Sequence, residues 1–558
     1  MAERRGHRGR EVVGDRGGVA AGGIDEATSR WCQEGRRVTA DPRTLCGSLL
    51  TPPEVKLLEP LRHLYQLGSL SSRRRTEGMP NMARTQEGRD AAHEVAERFA
   101  GLDPCSVPDE VLDATKRYIV DCLGAAIAGA HAPGSAAILA LASDWGGRPE
   151  ATVWGSGEKV PAFLAGLANS QTARALDFDD VSGATFAHLT CSVLPAAMAM
   201  AEATGRRDGR ALVASVAAGR DLICRLGLAT GTVSTEGGRA NMYQFNAFAV
   251  AAVAGMYLEL SPEGILSALG LVYGQSLSSK QGLIEGAQVP RVHQGLATQL
   301  GIQCAYLAAR ALIGARGVFE GRFGYFTQYE RNPFDRESLL GAIGERYYGL
   351  DSGIKKYPVC MQSHTAIDAT VQVRAMLGDP PPSAISSIRV GMSSEAYHMV
   401  YDPIGHRRRP STAAEVQYSL PWVVALAAAH GGLPLDHLEP DPVRDRHIAQ
   451  LADLVEACVD ADIDAQSAAR FSPAWVEITL GDGRRGRAHV DVPPGSPGRE
   501  LDWAGVEEKF RSCCSWTGDP VDHAAVHRQL SLLRSLEDVA DVGQVASETA
   551  RLAEPSLK

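Results

Sequence analysis

From Pro108 to Leu312 the chain runs through one apolar, alanine-rich segment after another, and few architectures can bury so many. Pro108 to Gly129 carries apolar residues at helical spacing with proline at its first turn. Ala91 to Phe99, Pro161 to Leu176, Ala211 to Leu228, Ala247 to Leu258, Pro262 to Tyr273 and Leu296 to Leu312 read the same way, apolar on most sides rather than on one stripe. Aromatic residues make up only 6% while glycine numbers 58, so these helices are expected to pack closely through small side chains. Glu150 to Gly155 is a short extended piece. The texture changes after Ser352. Ser386 to Met392 alternates like a strand, and Trp475 to Leu480, the Gly481-Asp-Gly483 turn and Arg487 to Val492 spell a β-hairpin. Between them Ala413 to His430 is an apolar helix broken near Pro421, and from Trp503 helices return, through Val506 to Phe510 and Ala524 to Leu536.

The expected fold is therefore mainly α: a large all-helical domain with an inserted, smaller α+β domain. The helical domain takes residues 85–352 and resumes over 497–558, and the insertion takes 353–496. Residues 1–84 are Arg- and Gly-rich without periodic apolar positions, which predicts disorder or a start read too far upstream, since Met79 and Met82 stand just before the first orderly helix.

A net charge of −10 and the lack of a basic stripe give no reason to expect nucleic acid. No apolar stretch is long enough to predict a membrane span. The eleven cysteines are scattered without a CxxC pair and no secretory segment precedes them, which points to reduced thiols in a cytoplasm.

The chemistry gathers in Ala175-Leu-Asp-Phe-Asp-Asp-Val-Ser-Gly-Ala-Thr-Phe-Ala-His188. Asp177, Asp179 and Asp180 follow an apolar segment, and a short passage through Gly183 leads to His188 and a buried helix with Pro195 near its start. Acids and a histidine where two apolar helices meet suit proton transfer; the plainer alternative is aspartates that cap a helix and a loop histidine. A magnesium site of the isoprenoid-synthase kind needs a second acid one turn on, and Gly183 stands there instead. There is no HExxH for zinc, no GxGxxG after a strand, no GxxxxGK[ST] and no GxSxG. Metal-free acid/base chemistry remains. A second piece lies in Gly353 to Ala369, where Lys355 and Lys356 precede a Tyr-Pro turn and a helix with His364 and Asp368. Arg291-Val-His293-Gln-Gly295 through Gln299 forms a third, at the start of a helix.

Taken in order, these pieces resemble the MmgE/PrpD family, which includes 2-methylcitrate dehydratase, cis-aconitate decarboxylase and iminodisuccinate epimerase. The resemblance is carried by Asn169, Ala175 to Asp180, His188 with Leu194 to Glu202, His293-Gln-Gly295, Lys355 to Cys360 with His364 and Asp368, and Gln417-Tyr-Ser-Leu-Pro421, over residues 88 to 535. It implies a helical domain and a smaller lid domain, a homodimer, no cofactor and no metal. Asp177, His188 and Lys355 fall on active-site positions of cis-aconitate decarboxylase, with Lys355 stabilising charge on a substrate carboxylate, His188 moving the proton and Asp177 orienting it. Asp180, Arg291, Gln299, Lys356, Cys360 and Trp422 are the expected substrate contacts.

There are departures from the family pattern. Val181 replaces a small hydroxyl residue, and the step from Asp177 to His188 is one residue longer. Gln299 stands for a lysine, Cys360 for a histidine and Trp422 for a tyrosine, while Asn241 to Asn246 holds no histidine. Fewer cations should weaken binding of multiply charged anions and favour a less charged or bulkier substrate. The expectation is a cofactor-independent lyase, a dehydratase or decarboxylase, that abstracts a proton next to a carboxylate of a small acid. An epimerase using Lys280 or Lys356 as second donor is the nearest alternative, and a non-catalytic relative the second class.

Overall fold

The computed structural model describes residues 89–230, 238–240, 242–275, 279–284, 287, 289–330, 334–433, 435, 445–466, 471–516 and 521–554. The reading of residues 1–84 falls outside them. Among the described residues no helix is long and apolar enough to cross a membrane.

Most of the described chain is helix. The predicted segments form Ala92–Ala100, Asp109–Gly129, Ala162–Arg174, Gly209–Leu228, Met242–Tyr257, Pro262–Tyr273 and Val289–Ala308. Their ends follow local chemistry. Ser261 accepts from the Gly264 N–H with Pro262 in the first turn, Asp208 accepts from Ala211, and Gly205 closes the helix Thr190–Thr204 at φ +75°. The small residues serve close approach: a Cβ on Gly129 would stand 1.9 Å from the Thr172 carbonyl oxygen of the neighbouring helix. Several helices were not foreseen, among them Ser135–Trp145, Arg446–Asp453 and Gly543–Ala553. The expected helix at Ala247 in fact begins at Met242, so Tyr243 and Asn246 are helical.

Strands are few. β1 (Ala151–Thr152) pairs with β2 (Lys159–Val160), and β3 (Val181–Ser182) pairs antiparallel with β4 (Ser352–Gly353). The largest sheet has β5 (Ile385–Met392) at its centre, beside the parallel β6 (Val455–Val459) and the antiparallel β7 (Ala474–Leu480). β8 (Arg485–Val490) completes the expected hairpin around Gly483, at φ +89°. The apolar run from Ala413 divides into Ala413–Val416 and Leu420–His430. Ser419 caps the second helix and Pro421 sits in its first turn.

Two large hydrophobic cores result. The first collects residues from Ala91 to Ile354 and again from Val506 to Ala553, and the second runs from Tyr357 to Val490 around the four-stranded sheet. A mainly α fold with a smaller α+β part is what the helical periodicity and the hairpin signals predict. Lys355 stands at the passage from the first core to the second.

Candidate active site

The helix Ala162–Arg174 ends just before the acid cluster. Asp177 follows in the left-handed region, at φ +53°, with its N–H on the Arg174 carbonyl. That turn directs its carboxylate back to the helix end, where Arg174 donates to Oδ1 at 2.5 Å. β3 then aligns Val181 with Gly353 and Ser182 with Ser352. This pairing carries Lys355 to the same carboxylate: its Nζ lies 2.9 Å from Asp177 Oδ1 and donates to the Asp177 carbonyl at 2.8 Å. Beyond β3 the chain reverses tightly. Phe186 (φ +53°) donates to the Ser182 carbonyl, and Val181 and His188 form a bridge. His188 thus returns beside the acids from which it departed, and Asn246 holds its carbonyl at 3.1 Å.

The ring of His188 meets Asp179 through Nδ1 at 2.9 Å, while Nε2 lies 3.9 Å from Asp177 Oδ1. Asp179, rather than Asp177, is therefore the carboxylate that orients the histidine. Burial would raise Asp177, yet Lys355 and Arg174 bring its pKa down to about 2. Burial opposes ionisation of Asp179 too, but His188 and Arg174 hold it far below the usual carboxylate range. His188 is shifted below its ordinary value, by burial first and by Arg174 next, with Asp179 pulling the other way. Two carboxylates held in the charged form thus stand beside a histidine held toward its neutral form.

These groups form one wall of a cavity of about 100 Å³. Asp177, His188, Lys355 and Cys360 line it; Asp180, Arg291, Gln299, Lys356 and Trp422 do not. Asp180 pairs with Arg220 at 3.1 Å, fully buried, and accepts from the Thr190 N–H at the start of the next helix. Arg220 also donates to Ser352 Oγ, so this pair fastens β3 to β4. Arg291 is occupied by Gln417 at 2.6 Å. Gln299 stands six residues past His293, about 240° around its helix, and leaves the lined face. Lys356 lies opposite Lys355, half exposed and paired with Asp368 at 3.3 Å. Trp422 is 1% exposed in the second core. The expected substrate contacts at these five positions therefore do not border this cavity. Neighbours in sequence point to opposite sides, and motif order says nothing about which side faces the cavity.

Arg174, Tyr243, Tyr418, Glu395 and Gln362 line the cavity without having been singled out. Tyr418 lay within the Gln417-Tyr-Ser-Leu-Pro421 motif, so a phenol is present although Trp422 turns away. Burial pushes Tyr243 up to about 12 and Tyr418 higher, which keeps both hydroxyls protonated as donors. Cys360 is pushed up to about 11 by burial and by Asp177, so it lines the cavity as a thiol. Lys280 also lines the cavity; burial lowers its pKa, with Glu395 opposing, and burial raises Glu395.

Asp177, Asp179 and His188 form, among the described residues, a cluster with ligand atoms within 4.8 Å of one another. Two cations already occupy it, since Lys355 and Arg174 both contact Asp177 Oδ1. A divalent ion there would meet both positive charges at close range, so the donor set does not suit one.

Two known protein-family domains match the chain. The MmgE/PrpD N-terminal domain matches residues 93–337 and the MmgE/PrpD C-terminal domain residues 357–537. A cis-aconitate decarboxylase-like protein, oryM, of Aspergillus oryzae is 25% identical over 482 residues, covering 83% of this chain and 97% of that protein. Cis-aconitate decarboxylase of Aspergillus terreus is 23% identical over 469 residues, covering 80% of this chain and 94% of its own length. The human cis-aconitate decarboxylase is 24% identical over 468 residues, covering 80% and 92%.

Proposed function

Because this chain belongs to the MmgE/PrpD family, we propose that it is a lyase of the dehydratase or decarboxylase type that needs no cofactor and moves a proton next to a carboxylate of a small acid. One observation carries the reading: His188 is fixed through Nδ1 on Asp179, which leaves Nε2 for a substrate in the cavity beside Lys355 and Asp177. Asp177, at about 2, is too weak a base for a carbon acid, whereas an imidazole shifted only below its ordinary value is suited to the task.

In a dehydration, Nε2 of His188 takes the proton from the carbon next to the carboxylate. The C–H electron pair becomes the new C=C bond, and hydroxide leaves as water with a proton from a donor such as Tyr418. In a decarboxylation, the bond to the departing carboxylate breaks and carbon dioxide leaves. Its electron pair stays on the remaining conjugated acid until Tyr418 gives a proton to carbon and regains one from solvent through His188. Either way negative charge builds on the retained carboxylate, and Lys355 with Arg174 provides fixed positive charge beside it.

An epimerase is the second reading, on the observation that Lys280 lines the same cavity with its pKa lowered by burial. Deuterium uptake from D₂O into small carboxylic acids, followed by NMR, tests both readings. The lyase predicts uptake with loss of water or carbon dioxide. His188→Ala should slow it by about 10²-fold or more; an undiminished rate in that variant overturns the reading. Uptake with inversion and no leaving group establishes the epimerase.

A further inference from the structure

The cavity has a second wall with no charge on it. Val181, Met361 and Phe471 form a small hydrophobic cluster with Phe186 that belongs to neither large core, and all four line the cavity. The Phe186 and Phe471 rings lie 5.6 Å apart, and a Cβ on Gly183 would stand 3.3 Å from the Phe471 ring. The same short turn that returns His188 to the acids therefore also sets Phe186 against Phe471. Met242 and Met399 extend this surface, and thioether side chains adapt their shape to what they touch.

The charged wall carries only a small excess of positive charge. Arg174, Lys355 and Lys280 line the cavity together with Asp177 and Glu395, while Asp179 lies behind His188. Three cations thus line the cavity against two carboxylates, an excess of one. Arg174 and Lys355 are engaged with one oxygen of Asp177. A substrate with three carboxylates would bring more negative charge than this excess of one offsets, and uncompensated buried charge is costly.

We infer that the substrate is a carboxylic acid with one or two carboxylates and an apolar substituent, the acid end beside Lys355 and His188 and the substituent against the Val181, Phe186, Met361 and Phe471 wall. This rests on the reading of the cavity as a carboxylic-acid site. Val181, two residues from Asp179, belongs to this apolar surface. The thiol of Cys360 adds no charge.

Binding of unreactive probes tests it apart from turnover. Succinate, methyl-, ethyl-, propyl- and butylsuccinate and the tricarboxylate tricarballylate are titrated by calorimetry into the full-length protein. Affinity should rise by about fourfold for each methylene that leaves water, and butylsuccinate should bind more tightly than tricarballylate. Phe471→Ser should flatten the chain-length dependence and Phe471→Leu should keep most of it. Met399→Ser is the second variant, should Phe471→Ser fail to fold. A flat chain-length series, a preference for tricarballylate or no binding by any probe overturns the inference. Deuterium uptake into the matching alkylmalates, which carry a hydroxyl that can leave, is recorded in parallel. Chain-length selectivity without uptake keeps the apolar substituent and rejects the lyase, and uptake with a tricarboxylate preference does the reverse.

Discussion

His188 Nδ1 and Asp179 Oδ2 lie 2.9 Å apart, and the carboxylate in that contact is fully buried while the histidine side chain keeps 12% of its surface open. The pair separates two tasks that one aspartate could not perform together. Asp179 fixes the ring and its tautomer; Asp177, two residues earlier, gathers Arg174 and Lys355. Replacing either acid should thus give different kinetic results.

Asp179→Asn keeps the shape but loses the charge that selects Nδ1–H. The reaction rate should fall by about 10²- to 10⁴-fold, as when the orienting acid of a catalytic histidine is made an amide. Substrate affinity, measured by calorimetry, should change much less. A loss confined to affinity would place Asp179 in binding instead.

The pH profile follows from the direction of the His188 shift. Burial and then Arg174 hold its pKa below 6.5, and the neutral ring is the base. Below the folded-state pKa the ring is protonated and inactive. The kcat/KM profile should therefore rise with pH along a limb whose midpoint lies under 6.5 and then level off. The same shift acts on stability. Folding favours the neutral ring, so this contribution is full above the unfolded value near 6.5 and is lost as pH falls toward the folded one. An ascending limb centred above 6.5 would contradict the assignment.

Asp180 should behave as a structural acid despite its place in the motif. Asp180→Ala leaves Arg220 buried without its carboxylate and removes the acceptor for Thr190. About 3–5 kcal/mol of stability should be lost, read as a lower urea midpoint. Lys355→Met should instead reduce turnover severely and shift the midpoint less, since Asp177 retains Arg174 at 2.5 Å. The reverse ranking would return Asp180 to the substrate.

Gly495 controls Lys355 from a distance. It sits at φ +85°, accepts from the Ile354 N–H at 3.0 Å, and a Cβ there would lie 1.8 Å from the Ile354 carbonyl oxygen. Gly495→Ala must push the segment carrying Lys355 off its position. Activity should drop by about 10²-fold, a size typical of a misplacement near 1 Å. Native activity in Gly495→Ala would show that Lys355 tolerates displacement.

Several features were open to reading from the chain alone because they depend on neighbours in sequence. Pro262 to Tyr273 is a helix since Ser261 caps it and its apolar residues recur at helical spacing. The hairpin around Gly481-Asp-Gly483 follows from β-branched alternation and a turn that needs positive φ. Asp177, His188, Lys355 and Cys360 could be nominated from motif order, and all four line the cavity.

What only the tertiary structure decided is direction. Pairing of β3 with β4 joins residues about 170 positions apart, and it sets Lys355 on Asp177 while Lys356 turns to solvent. Whether Asp177 or Asp179 holds the histidine depends on one left-handed residue and a reversal through Phe186. Tyr243 and Arg174 enter the cavity because of where their helices begin and end, and Trp422 leaves it because its helix packs into the second core. Local propensity and spacing carry element type, since the physics behind them acts within a few residues. The side that each residue presents to the cavity is set by packing between distant segments, which no local pattern encodes.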